Sequence, residues 1–226
     1  MAINVSKIKA TSTGSRVEQA PLKTTTYPTR VVQIIDLGLQ PQRAWEGEEK
    51  PPAYTLMMTY EFTDEFCVDK EGNEDESKPR WLSEDFPLHP LTADLAKSTK
   101  RYKALDPELV HEGDFGELLG AAVNTTVSAN PGKGKNAGRV FNNIMSLSTM
   151  RSRDEARTAP LVNTPKMFDL STPDLEIFGS LPEWIQDKIK GNLEFKGSPL
   201  DTALNGGKVS EPAQPTADAS SDDQPW

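Results

Sequence analysis

Three basic residues stand in a short glycine-rich stretch in the second half of the chain. Lys133 and Lys135 alternate with glycines in the segment NPGKGKNAG, residues 130–138, and Arg139 follows directly. Glycines let a backbone approach a phosphate group closely, and the basic side chains supply the opposite charge. Phe141 falls on the same predicted strand face as Arg139, so that a ring and a cation together suit the stacking of a base. The GxxxxGK[ST] pattern of a P-loop is absent.

Both this stretch and a second one, Arg80-Trp81, also have a plainer structural interpretation. The glycine-rich stretch is then a soluble hairpin tip, with Phe141 in the core. Trp81 points outward, as a stacking residue, if Leu82 and Phe86 point inward, because strand side chains alternate with a period of two. The opposite assignment, with Trp81 in the core, is equally compatible with the pattern.

Two further groups of residues complete the candidate nucleic-acid contacts. Arg43 and Trp45 share a predicted loop between the first two strands. Lys100, Arg101 and Tyr102 lie on a predicted helix, where they form either a solvated face or an extension of a phosphate-binding track.

Other kinds of chemistry find little support in the sequence. Asp64, Glu65 and Asp69 would suit Mg²⁺ in a nuclease, but this acidic segment has neither a calcium-loop pattern nor a nearby Lys or His for catalysis. Cys67 has no apparent partner or base, and no Ser-His-Asp signature is recognisable. We therefore expect no catalytic residue, no metal site and no cofactor.

The elements that must position these residues are mostly strands. Five segments have strand patterns: Arg30–Leu39, Ala53–Thr63, Arg80–Leu88, Leu118–Ala129 and Arg139–Met150. A helix over Thr92–Leu105, with Thr92 as its N-cap, separates the third strand from the fourth. One helix inserted at this point in five antiparallel strands is the connectivity of the OB-fold barrel. We therefore predict a mainly β, five-stranded, OB-fold-like barrel with C-terminal helical elements.

Two patterns predict how these elements are buried. The second strand places large apolar residues on one face, which predicts a single buried face and core positions for Tyr54, Tyr60 and Phe62. Near the C-terminus, Ser180-Leu-Pro-Glu183 has the pattern of a capping box that opens a helix to about Phe195. The apolar stripe of that helix is predicted to dock on the body through Trp184, Ile185, Ile189 and Leu193.

The charge of the 226-residue chain is unevenly distributed. Its formal net charge is −9 and its pI about 4.9, yet residues 61–76 carry −7 and residues 201–226 carry −4, so the remainder is +2. An acidic total therefore does not exclude nucleic-acid binding. A single cysteine excludes a disulfide framework, and neither a transmembrane segment nor a signal peptide is recognisable, so we expect a cytoplasmic protein.

Composition divides the chain into four predicted regions. They are a flexible arm over residues 1–26, a binding domain over 27–157, a helical extension over 158–197 and a disordered acidic tail over 198–226. The tail contains Asp222, Asp223, Pro225 and Trp226, an acidic run before an aromatic residue that suits a small pocket with a basic rim. The alternative is a solubilising tail that happens to contain a tryptophan.

This tail resembles the acidic tip of bacterial single-stranded DNA-binding proteins, in which acidic residues precede Pro-Phe; here Trp226 stands in place of that Phe. The body resembles a group of tailed-phage OB-fold DNA-binding proteins. The resembling stretches are PTRVVQIIDLGLQPQ (28–42), KPPAYTLMMTYEF (50–62), KPRWLSEDFPL (78–88) and GKGKNAGRVFNNI (132–144).

The resemblance implies sequence-tolerant binding of single-stranded DNA during phage DNA replication, recombination or repair, in the cytoplasm of the host bacterium. It implies no enzymatic activity and no membrane contact. The tail would recruit replication or recombination proteins, and a homo-oligomer is possible. The main alternative is a phage structural or assembly protein that uses an OB-like barrel as a protein-interaction module, followed by a metal-dependent nuclease and a DNA mimic.

Overall fold

The computed structural model describes residues 17–44 and 46–206. The predicted site residue Trp45 and the tail residues Asp222, Asp223, Pro225 and Trp226 lie outside the described residues.

Six strands and five helices make up the described fold. The strands are β1 Thr25–Gln40, β2 Ala53–Val68, β3 Glu74–Pro87, β4 Ala122–Pro131, β5 Val140–Ser148 and β6 Lys166–Phe168. The helices are α1 Lys97–Leu105, α2 Ser152–Glu155, α3 Leu175–Ser180, α4 Glu183–Lys190 and α5 Pro199–Leu204. None of the helices in the described ranges is long and apolar enough to cross a membrane.

The predicted fold class is confirmed. Five strands follow the order β3-β2-β1-β4-β5, with α1 inserted between β3 and β4. Among the described strands β3 and β5 are the two edges, so the sheet is barrel-like but not closed. The sixth strand, β6, was not predicted; it pairs in parallel with Gln33–Ile35 of β1.

The chain forms two compact units, each assembled from three stretches of sequence. Of the described residues, the first comprises 17–32, 59–84 and 100–165. The second comprises the described residues within 33–58, 85–99 and 166–206. The strands β1, β2 and β3 each contribute residues to both units.

In the first unit, aromatic and aliphatic side chains from β1, β2 and β4 form the core. Tyr27, Phe62 and Val127 are buried together, and the rings of Tyr27 and Phe62 meet edge to face with their centroids 5.3 Å apart. Leu22 belongs to the same cluster, and the main-chain N–H and C=O of Leu22 both bond to the Asn142 side chain. Part of the predicted flexible arm is therefore packed, which corrects that prediction for residues 17–26.

A buried ion pair is the second feature of this unit. Arg101 Nε donates to Glu84 Oε1 at 2.7 Å, and Arg101 Nη2 donates to Glu84 Oε2 at 3.0 Å. The same Nη2 lies 3.3 and 3.4 Å from the carbonyl oxygens of Ile144 and Met145. One guanidinium on α1 thus contacts both edge strands, β3 and β5. Burial raises the pKa of Tyr60 well above its usual range, and Glu84, which accepts from the Tyr60 hydroxyl, raises it further.

In the second unit, the short C-terminal helices cover apolar residues of β1 and β2. The buried cluster contains Ile35, Leu37, Met57, Phe168, Phe178, Leu181, Ile185, Ile189 and Leu200. Ser198 caps α5 by accepting from Asp201 N, and Leu200 is fully buried. The predicted disordered tail therefore does not begin at residue 198, since residues 199–204 form a helix.

Several local predictions at the helices are wrong. The helix α1 begins at Lys97 and not at Thr92, because residues 90–96 form two consecutive turns. The predicted capping box does not form: Pro182 is the N-cap of α4, and Ser180 Oγ bonds instead to Ile177 O. Trp184 and Leu193 are exposed, so only the Ile185 and Ile189 half of the predicted stripe is buried.

The burial of β2 also differs from its predicted pattern. Residues Thr55 to Phe62 are buried on both strand faces, whereas the alternation predicted one. Tyr60 and Phe62 are buried as predicted, but Tyr54 is half exposed and donates its hydroxyl proton to Glu194. The third strand also begins earlier than predicted, at Glu74 and not at Arg80.

Replacement of Arg101 should show how much the buried ion pair contributes. Arg101→Met leaves the Glu84 carboxylate buried without its cation, which should lower the free energy of unfolding by about 3–5 kcal/mol in urea denaturation. Arg101→Met combined with Glu84→Gln should recover much of this loss, because no charge is then left without a partner.

The matched control is Arg151→Met, which breaks the exposed Arg151–Asp154 pair. This change should leave the urea unfolding midpoint close to that of the wild type, because an exposed ion pair contributes little to stability. An Arg101→Met protein no less stable than the Arg151→Met control would contradict a structural role for the buried pair.

Candidate nucleic-acid interface

The β4–β5 hairpin brings four of the predicted site residues together. The two strands pair antiparallel up to Pro131 and Val140, as predicted. The connecting loop contains Lys133 and Lys135 and closes with a 2.7 Å hydrogen bond from Gly132 N to Arg139 O. Phe141 follows one residue into β5. A two-stranded scaffold therefore holds three cations and one ring at its end; Lys133, Lys135 and Arg139 are called the basic tip below.

Exposure of these side chains tests one part of the plainer interpretation, the position of Phe141. Lys133, Lys135 and Arg139 are exposed, and 43% of Phe141 is accessible to solvent. The interpretation that placed Phe141 in the core is therefore wrong. Its ring is instead seated on the loop, with one ring edge against the backbone of Gly132.

Gly132 has a structural reason to be glycine. A Cβ at this position would lie 2.2 Å from the carbonyl oxygen of Asn136 and 2.9 Å from Phe141 Cε2. The loop backbone and the ring thus occupy the space of a side chain. Gly134 and Gly138 are glycines for another reason, since both have positive φ, 58° and 89°.

Charge sets this hairpin apart from the rest of the acidic chain. No Asp or Glu occurs between Glu117 and Asp154, a stretch that contains all of β4 and β5. The charged residues within it are the basic tip, Arg151 and Arg153. A phosphate chain along the hairpin would therefore meet no carboxylate from the hairpin itself.

Sequence analysis missed a row of uncharged polar side chains on one face of the hairpin. Register pairs Phe141 with Asn130 and Asn143 with Ser128, and the face opposite to theirs carries buried Val127. Thr26 of β1 extends the row, with its hydroxyl 2.9 Å from that of Thr126. This polar face comprises Thr26, Asn124, Thr126, Ser128, Asn130, Asn143, Ser146 and Ser148. The period-two spacing of Ser, Thr and Asn in β4 was the available signal.

Trp81, the second predicted stacking residue, is held in place by a carboxylate. Its side chain is 45% exposed, while Leu82 packs towards the core, so of the two orientations left open by the sequence Trp81 adopts the outward one. The indole N–H donates to Glu61 Oε2 at 3.2 Å. Glu61 is only 1% exposed and also accepts from Val162 N and from the Asn163 side chain. A negative group therefore lies next to this ring, which makes the Trp81 surface less suited to phosphate than the basic tip.

Arg80 is half-buried and lies near acidic side chains. It lines a cleft of about 280 Å³ together with Glu65, Glu74 and Tyr27. Burial raises the pKa of Glu65, and the charge of Arg80 opposes this rise. The Arg80 cation thus already has a carboxylate neighbour.

The helical candidates separate into one exposed and two buried residues. Lys100 is exposed on α1. Arg101 and Tyr102 are buried, so the predicted solvated face is wrong at both positions. The Arg101 charge is engaged by Glu84, and the Tyr102 hydroxyl donates to Asp106 at 3.2 Å. Neither side chain reaches the surface on which a phosphate track would run.

The remaining candidates add little to the described site. Arg43 is exposed in the chain segment that follows β1, in the second unit. Within residues 17–44 and 46–206, no three His, Cys, Asp or Glu side chains lie close enough together to hold a metal ion.

A comparison of the chain with protein-family models found no match, and neither did a comparison with curated protein sequences.

Substitution of Gly132 tests the packing of the tip. Gly132→Ala forces the Asn136 carbonyl and the Phe141 ring apart, which should destabilise the loop by about 1–3 kcal/mol. Hydrogen–deuterium exchange in residues 130–141 should become faster, with little change elsewhere.

Gly179→Ala serves as the control, because a Cβ at Gly179 meets nothing within 4 Å. Unchanged exchange at the tip of the Gly132→Ala protein would show that the ring does not rest on this glycine.

Proposed function

We propose that this protein binds single-stranded DNA without strong sequence preference, and that the β4–β5 hairpin is its main contact surface. The observation that carries the proposal is the basic tip beside the half-exposed ring of Phe141, within a stretch that has no acidic residue. Binding of single strands needs these two components, cations that follow the phosphates and flat groups on which bases stack.

The phosphate contacts would begin at the basic tip and continue along the polar face. Lys and Arg side chains neutralise phosphates and release condensed counterions. Hydroxyl and amide side chains also donate hydrogen bonds to phosphate oxygens and sugars in protein–DNA complexes. The polar face follows the nine residues of β5, which corresponds to a length of about 27 Å. Such contacts read no base edge, which agrees with sequence-tolerant binding.

Base stacking on Phe141 would provide the second part of the affinity. Stacking of one base on an aromatic side chain contributes about 1–3 kcal/mol. The ring of Phe141 is already positioned by Gly132, so little conformational freedom is lost on binding. Trp81, with its indole tied to Glu61, is the secondary candidate.

The proposed biological setting is phage DNA replication, recombination or repair in a bacterial host. Its support is the resemblance of the four sequence stretches given above and of the acidic tail. In this setting Asp222, Asp223, Pro225 and Trp226 would recruit replication or recombination proteins, and the body would perform no catalysis.

Removal of the three cations should weaken binding and flatten its salt dependence. For Lys133→Ala/Lys135→Ala/Arg139→Ala we expect weaker affinity for fluorescent oligo-dT in anisotropy titrations. The slope of log affinity against log salt should become shallower by about 2, since each lost phosphate contact removes roughly 0.7.

A matched variant, Lys23→Ala/Lys70→Ala/Lys196→Ala, removes three exposed cations elsewhere and should keep the wild-type slope. Oligo-dT binding that is absent in the wild-type protein would refute the proposal and favour the structural or assembly role.

Two further variants should identify the ring on which a base stacks. Phe141→Leu should weaken oligo-dT binding roughly 5- to 150-fold, the equivalent of one lost stacking contact. Trp81→Leu should weaken it less. The reverse order of the two effects would assign stacking to β3 and not to the hairpin; midpoints of urea unfolding confirm that both variants are folded.

A further inference from the structure

A second hairpin tip in the first unit has the opposite charge to the basic tip. Between β2 and β3, Asp69 Oδ1 accepts from Glu71 N at 2.9 Å and from Asn73 N at 2.8 Å, which fixes the turn. Asp75 pairs with Lys78 at 2.5 Å, and this contact and the Ser77 hydroxyl lower the pKa of Asp75 to about 2. Both aspartates are thus used within the turn.

The glutamates of this turn are exposed residues whose carboxylates neither of the aspartate contacts uses. Glu71, Glu74 and Glu76, called the acidic tip below, are exposed. Residues 69–78 contain five acidic and two basic residues, a net charge of −3. The loop of the basic tip, residues 131–139, carries +3. Among the ion pairs that the structure describes, none joins the two tips.

The strand next to the basic tip is an unprotected sheet edge. β5 has a single strand neighbour, β4, in the described sheet, and its nine residues VFNNIMSLS include neither a charge nor a proline. Val140 is 45% and Met145 is 62% exposed. Natural proteins usually protect such an edge with charges, prolines or bulges, because an exposed edge pairs readily with another chain.

Among the described residues, Arg101 contacts the main chain at one end of this edge. Arg101 lies against the carbonyl oxygens of Ile144 and Met145, and a register irregularity in β4 lies opposite the same region. In the half of β5 next to the tip, Val140–Asn143, the main chain of Leu22 bonds to the Asn142 side chain and not to the main chain of β5. This half of β5 adjoins the three cations.

We infer that the basic tip and the exposed half of β5 form a docking surface for the acidic tip of a second copy of this chain. The opposite charges of equal size steer the two tips together, and the uncharged edge accepts an added strand. Because the two surfaces differ, the contact is head-to-tail and extends to further copies. The same cations contact DNA in the proposed function, so self-association and DNA binding exclude each other; only this exclusion rests on that proposal.

Sedimentation velocity of the full chain tests the inference without DNA. Wild-type protein should associate at about 0.01 M salt and dissociate at about 1 M, as the Debye length shortens from about 30 to about 3 Å. Glu71→Lys/Glu74→Lys/Glu76→Lys should weaken association about tenfold or more, as expected for three exposed charge pairs. The control Glu108→Lys/Glu117→Lys/Glu176→Lys makes the same charge change at exposed sites elsewhere and should associate like the wild type.

A charge exchange gives the sharpest result. The variant Lys133→Glu/Lys135→Glu/Arg139→Glu has two acidic tips and should stay monomeric alone. The glutamate reversal described above has two basic tips and should stay monomeric alone as well. An equimolar mixture of the two should associate, because each contact then joins opposite charges. A monomeric wild type at low salt, or a mixture that stays monomeric, would overturn the inference. The inference would also be overturned if deletion of residues 210–226 abolished association while the glutamate reversals had no effect. The docked segment would then be the tail and not the acidic tip.

An oligo-dT of about eight nucleotides tests the exclusion separately. Its addition to associated wild-type protein should release monomers that carry the oligonucleotide. Bound oligonucleotide within an intact assembly would overturn the exclusion and leave the proposed function standing. Failure to bind any oligonucleotide would refute the proposed function, while the charge-exchange result still decides the self-association.

Discussion

The buried pair of Arg101 and Glu84 is the interaction on which much of the first unit depends. Two ions removed from water are stable only with good geometry, and here the guanidinium makes a two-pronged contact with the carboxylate. The Nη2 group of the guanidinium also donates to main-chain carbonyl oxygens of β5. A single side chain thus fixes α1 against both sheet edges, and a residue that looked like a phosphate ligand in the sequence has a structural role.

The sequence was sufficient to predict the succession of the five main strands along the chain and the helix inserted between the third and the fourth, because local periodicity indicates each of these elements. The alternation in β2 predicted a strand, and the glycines after β4 predicted a hairpin. What the alternation could not show was that Thr59 and Glu61 would also be buried. Glu61 is bonded by Val162 and Asn163, about a hundred residues further along the chain, and no local pattern reveals such a contact.

The sequence predicted the part of the candidate site in which basic residues stand in a glycine-rich turn. It did not reveal the part that consists of uncharged polar side chains. The basic tip and Phe141 stood out because cations and glycines are conspicuous in an acidic chain. The polar face escaped notice because Ser, Thr and Asn on a strand resemble an ordinary solvated surface. Lys100 and Arg101 are adjacent in sequence, but Lys100 is exposed and Arg101 is buried, since successive residues of a helix point to different sides.

The division of β1, β2 and β3 between two units has a practical consequence for anyone who dissects the molecule. Neither unit corresponds to a contiguous piece of the gene. A chain cut before Lys166 would retain Ile35, Leu37 and Met57 but lose the helices that cover them. Apolar strand surface left bare in this way favours aggregation. Chains cut inside either unit are therefore poor reporters for this fold, and point substitutions in the intact units are the appropriate tool.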